Sequence, residues 1–94
     1  MEMNELQKRV DELIQKQGGY WPPFQMLAAL VEEVGELADA MLAVEGVKGS
    51  EKKEKLEEEL GDVLYALLCI ANYYGIDAFQ ALNNTVLKYL KRDL

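Results

Sequence analysis

Apolar residues recur at helical spacing along most of the chain, and nowhere do they alternate as a half-buried strand requires. Leu6, Val10, Leu13 and Ile14 draw one stripe on a first helix over residues 4–16, ended by Gln17-Gly18-Gly19. Tyr20-Trp21-Pro22-Pro23 is a stiff connector. Pro23 suits the first turn of the next helix, where its missing N–H costs nothing. That second helix is predicted over residues 24–44. A polar loop over 46–50, with Ser50 as the expected N-cap, leads to a third helix over 51–74 that Gly75 terminates. Asp77 followed by Gln80 reads as a capping box for a fourth helix over 78–92. The expectation is one all-α domain across residues 1–94, resembling a four-helix bundle.

Wound at about 100° per residue, the second helix places Leu27, Leu30, Val34, Leu37 and Met41 on one face. Glu32, Glu33 and Glu36 fall on the other, beside Ala29, Ala40 and Ala43. The third helix divides in the same way. Leu60, Leu64, Leu67, Leu68 and Ala71 oppose Lys52, Lys55, Glu59, Asp62 and Ala66. Helices apolar or small nearly all round require cover on more than one side. A 94-residue chain cannot easily supply that cover for two long helices, so a dimer at least is expected, either homodimer or homotetramer.

The acidic positions carry the chemistry. Glu32-Glu33-Val34-Gly35-Glu36 is answered, after 22 intervening residues, by Glu59-Leu60-Gly61-Asp62. Residues three apart project from one helical face, and two antiparallel helices bring such faces into register. No Lys or Arg occurs over positions 28–47, so the lysines that normally accompany a solvated acidic face are missing there. On spacing alone, a carboxylate metal centre and a solvated acidic face are evenly matched.

Composition narrows the partners. The net charge of −7 disfavours a long phosphate backbone. The clustered basic residues, at 48–55 and 88–92, suit a small anion better. No apolar run approaches the ~20 residues of a membrane span, and Met1 leads into a polar helical segment rather than a secretory signal. The single cysteine, Cys69, excludes an internal disulfide and fits a reducing cytoplasm. Histidine is absent, which removes the commonest general base and the His-bearing metal sites. Catalysis would have to run on carboxylates, a hard cation and its bound water.

The residues also resemble a family. Trp21-Pro22-Pro23-Phe24-Gln25, Leu27, Leu30, Glu32-Glu33-Val34-Gly35-Glu36-Leu37-Ala38, Glu57-Glu58-Glu59-Leu60-Gly61-Asp62-Val63-Leu64 and Gly75-Ile76-Asp77 are similar to the MazG-like nucleotide pyrophosphohydrolases. These belong to the all-α NTP pyrophosphatase superfamily, with the dimeric dUTPases and dCTP pyrophosphatases. EExxE alone is a weak signal. Both halves, EExxE and ExxD, with their flanking residues are a strong one, and the resemblance spans Trp21 to Arg92.

The resemblance implies Mg²⁺-dependent cleavage of a nucleoside triphosphate between the α and β phosphates, with Mn²⁺ as a substitute ion. House-cleaning of non-standard or excess nucleotides is the implied role. By position it makes Glu33, Glu36, Glu59 and Asp62 metal ligands and gives Glu32 the attacking water. Lys55 and Lys52, one and two turns before Glu59, would meet the triphosphate, or else form a solvated first turn. In the last helix the family's asparagine slot is Val86, so Lys88 and Arg92 keep a phosphate role without that partner. Asn83, one turn earlier, is the candidate substitute. Trp21 and Phe24 would stack on a base, or anchor the connector. Tyr65, Tyr73, Tyr74, Met26, Met41 and Cys69 are expected to pack. The competing readings are a non-catalytic nucleotide- or metal-binding regulator and a purely structural oligomerisation module.

Overall fold

In the computed structural model, which describes residues 2–93, the chain runs through α1 (Met3–Lys16), α2 (Pro23–Val44), α3 (Lys53–Tyr73) and α4 (Ala78–Asp93). No strand occurs among those residues. Pro23 does occupy the first turn of α2. α3 ends where the left-handed backbone of Gly75, φ 67°, lets Ile76 N–H reach back to the Ala71 carbonyl at 2.8 Å. That bond satisfies a carbonyl the helix leaves open. α2 ends in the same way, with Val47 N–H bonded to the Leu42 carbonyl at 2.9 Å.

Two cap expectations change. α3 starts at Lys53, not 51, and Lys52 rather than Ser50 holds the N-cap position. Glu51 stays ahead of the helix, its carboxylate accepting the Lys52 N–H at 3.1 Å, and the N-cap residue makes no side-chain cap bond to the first turn. Asp77 does cap α4 by accepting the Gln80 N–H at 3.1 Å. The reciprocal arm of the box is not made, because the Gln80 amide turns to Asn84 at 3.1 Å.

α2 and α3 pack as an antiparallel hairpin, α1 lies against α3, and α4 packs chiefly on α1. Ile14, Met26, Ala40 and Val63 form the small apolar core. The hairpin closes through its small and acidic face. Ala29, Glu33 and Ala66 are half-buried and Ala40 and Glu59 are buried, while Leu27, Val34 and Met41 of α2 stand about half exposed, as do Leu60, Leu64 and Leu67 of α3. Alanines permit close backbone approach, and that approach draws the carboxylates inward with them. The expectation that Met41 packs does not hold within the chain, since it is about half exposed, whereas the part-exposed Tyr73 and Tyr74 meet edge-on at 5.0 Å. α4 buries no described residue. The radius of gyration is accordingly 15.5 Å, against about 12 Å for a closed chain of this length.

Candidate active site

Glu33 of α2 faces Glu59 and Asp62 of α3, and one carboxylate oxygen from each lies within 4.8 Å of the others. Oxygens around a small divalent cation with ~2.1 Å bonds are themselves separated by about 3–4 Å. The donor set is all oxygen and anionic, so these residues fit a hard cation. Glu59 is 5% exposed. Its carboxylate takes a 2.9 Å ion pair from Lys55, one turn earlier. That contact raises the Lys55 ammonium above its ordinary value, through the hydrogen bond first and the charge of Glu59 second.

The Glu33 carboxyl is raised above its ordinary value, first by desolvation and then by the charges of Asp62, Glu59, Glu36 and Glu32. Crowded carboxylates of this kind repel one another until a cation joins them. Glu36 and Glu32 are exposed and act on Glu33 from outside the group of three.

Beside the carboxylates opens a cleft of about 570 Å³. Ile14, Tyr20, Trp21, Met26, Tyr65 and Cys69 form its walls, with Ala29 and Ala66 beside Glu33 and Asp62. Each alanine sits about one turn from an acid on the same helix, leaving room next to the charges. None of the lining residues is a lysine or arginine. The cleft therefore suits the flat, apolar part of a ligand whose charged part sits at the acids through a cation.

The remaining candidates divide by place. Trp21 lines the cleft, whereas Phe24 does not and is 84% exposed. Lys52 is exposed at the head of α3. Lys88 and Arg92 lie over the Tyr89 ring at 5.0 and 4.6 Å, on α4 and outside the cleft. Asn83 is exposed on the same helix.

Tyr65 and Cys69, expected to pack, line the cleft, and Tyr20 joins them unforeseen. The signal for the first two was present, because Asp62, Tyr65, Ala66 and Cys69 share one face at helical spacing. Tyr20 donates to Asp11, and burial together with that bond pushes its hydroxyl up to about 12. Burial likewise pushes the Cys69 thiol up, which argues against a nucleophile.

The MazG nucleotide pyrophosphohydrolase domain family matches residues 22–93. The chain belongs to that family. It is a nucleotide pyrophosphohydrolase by that membership. The uncharacterised protein YpjD of Bacillus subtilis is 39% identical over 95 residues, covering 97% of this chain and 86% of its own. A Bacillus-conserved MazG protein, itself a nucleotide pyrophosphohydrolase, superposes with a TM-score of 0.83 at 40% identity, over 95% of this chain and 89% of that one. The structure of iMazG from Vibrio DAT 722 gives 0.66 at 30% identity over 97% of both chains. The MazG match takes in both acidic segments and all of α4, but begins after α1.

Proposed function

We propose that this chain is a Mg²⁺-dependent nucleoside triphosphate pyrophosphohydrolase, releasing a monophosphate and pyrophosphate, and acting as a homodimer or homotetramer in the cytoplasm. The observation that carries the reading is the convergence of Glu33, Glu59 and Asp62 within 4.8 Å beside an aromatic cleft. Glu33, Glu36, Glu59 and Asp62 hold the cation. Bound there, it lowers the pKa of water and offsets charge on the phosphate oxygens. Glu32 orients the attacking water and accepts its proton. The water oxygen bonds to the α phosphorus as the bridge to the β phosphate breaks, and pyrophosphate leaves with that bridging oxygen. Trp21 stacks on the base within the cleft, and Phe24 extends the same surface.

Half-exposed Leu27, Val34, Leu60 and Leu64 support the assembly, since so large an apolar surface is unusual on a soluble monomer. A two-fold partner laying the same face over it closes the bundle. Lys55 and Lys52 supply cations from α3. Lys88 and Arg92, with Asn83 near the Val86 slot, supply them from α4, reaching the cleft of a partner copy. The free thiol of Cys69 accords with a reducing compartment.

The deciding experiment incubates the pure chain with a panel of NTPs and dNTPs and separates the products. Monophosphate and pyrophosphate should appear with Mg²⁺ or Mn²⁺ and vanish in EDTA, with little turnover in Ca²⁺, whose ligation is looser. Full activity in EDTA, or release of single phosphates, refutes it.

A further inference from the structure

Gln7 is 8% exposed, and each polar atom of its side chain is engaged. Nε2 donates to Asn72 Oδ1 at 2.9 Å and to the Ile76 carbonyl at 2.9 Å. Oε1 accepts the N–H of Ala78 at 2.9 Å. Asn72 answers through Nδ2, which donates to the backbone carbonyl of Gln7 at 2.8 Å. One side chain of α1 thus ties together the last turn of α3, the turn after it and the first residue of α4. Ala78 carries one of the N–H groups that a helix cannot satisfy internally, and Gln7 satisfies it from another helix.

Two further observations give this clamp a consequence. α4 buries none of its described residues and packs chiefly on α1, so within one chain its direction depends strongly on what fixes its root. Asn72 is followed by Tyr73, whose ring meets edge-on, at 6.2 Å, the ring of Tyr20, which lines the cleft. The root of α4 and one wall of the cleft therefore share a seat. α4 is about 24 Å long, so a tilt of about 10° at Ala78 moves its last turn by about 3–4 Å.

We infer that Gln7 is a positioning residue: its amide clamps the root of α4 to the seat that carries Tyr20, and so sets where Lys88 and Arg92 arrive. The inference rests on the reading of α4 as the phosphate-binding arm. A displacement of about an ångström at such a contact costs up to about 10²-fold.

The test uses the full chain with Gln7→Glu, which keeps the acceptor for Ala78 and loses both donations. Gln7→Leu removes all of the bonds. Calorimetry measures Mn²⁺ alone, then a non-hydrolysable triphosphate with Mn²⁺. Mn²⁺ affinity should stay at the wild-type value, because the carboxylates sit on the hairpin, while triphosphate affinity falls about tenfold in Gln7→Glu and further in Gln7→Leu. Lys88→Gln should cost less in the Gln7→Glu background than in the wild type. Unchanged triphosphate affinity, equal loss of both ligands, or strict additivity with Lys88→Gln overturns the inference. Should Gln7→Leu not fold, Gln7→Glu and the cycle still decide. A wild type that binds the triphosphate without cleaving it sinks the hydrolase reading alone, and the binding comparison still judges Gln7.

Discussion

Along the α2–α3 hairpin, Met26, Ala40, Glu59 and Val63 are buried, whereas no described residue of α4 is. α4 is nevertheless strongly amphipathic, with Phe79, Leu82, Val86, Leu87 and Leu90 all about half exposed. The two regions also differ in charge. The hairpin turns carboxylates inward with Lys55 as their ion-pair partner, while the last turn of α4 carries Lys91 and Arg92. The hairpin can build its acidic centre from one chain, because alanines let α2 and α3 approach closely. The arm's apolar side finds little cover on the same chain, and its Arg92 pairs with the neighbouring Asp93 at 3.0 Å. The acids are thus positioned by packing within the chain, and the basic arm by a clamp at its root.

The contrast breaks most visibly at the hairpin's outer face. Leu64→Glu should weaken self-association by about 10²–10⁴-fold, since a symmetric interface loses about 1.5–3 kcal/mol of burial twice. Sedimentation velocity across a concentration series reads this, and an unchanged oligomer would move the interface elsewhere.

Inside the hairpin, Asp62→Asn should lower turnover by about 10²–10³-fold, because the several kcal/mol of charge stabilisation from a bound cation is lost. The variant should keep the fold, as circular dichroism would show. Wild-type turnover would remove Asp62 from the centre.

The hairpin's two kinds of carboxylate can be separated by stability. Glu59→Gln should lower the melting temperature of the metal-free chain by about 4–8 °C, the effect of about 1 kcal/mol in a small domain, since its partner Lys55 is half exposed and the pair is partly screened. Glu33→Gln should leave it level or raise it, since a crowded charge is removed. The same signs for both variants would mean that the two acids share one environment.

A pH scan sharpens the same point. The Glu33 carboxyl is raised above its ordinary value of 4.5, so the folded state holds that proton more tightly than the unfolded chain does. Its contribution favours the fold at low pH and is lost as pH rises from 4.5 through the folded value. Glu33→Gln should flatten that part of the melting curve, and so should Mg²⁺, which favours the ionised form. A slope unchanged by either would contradict the crowding. Smallest of all, Phe24→Ala should change chain stability by less than about 0.5 kcal/mol, as expected for a fully solvated side chain. Trp21→Ala should weaken triphosphate binding instead, measurable in one calorimetric titration.

Much of this was legible before folding. The four helices follow from apolar spacing, the ends of α1 and α3 from Gly18 and Gly75, and the cap of α4 from Asp77. The acids were legible through their three-residue spacing and the absence of nearby lysines. Ser50 misled because a serine before a helical run is only one of several ways to satisfy an open N–H. Gln7 gave no signal, since a glutamine among polar residues on a surface helix looks solvated.

Sequence alone determined what is local: which residues are helical, where turns interrupt them, and which side chains share a face. Those properties depend on hydrogen bonds and spacing within a few residues. Tertiary structure decided which face of α2 and α3 turns inward, that Tyr20, Tyr65 and Cys69 border one cleft, and that Gln7 reaches residues 65 to 71 positions away. Contacts over such separations exist only once α1 has docked on α3, and periodicity along a single helix carries no record of them.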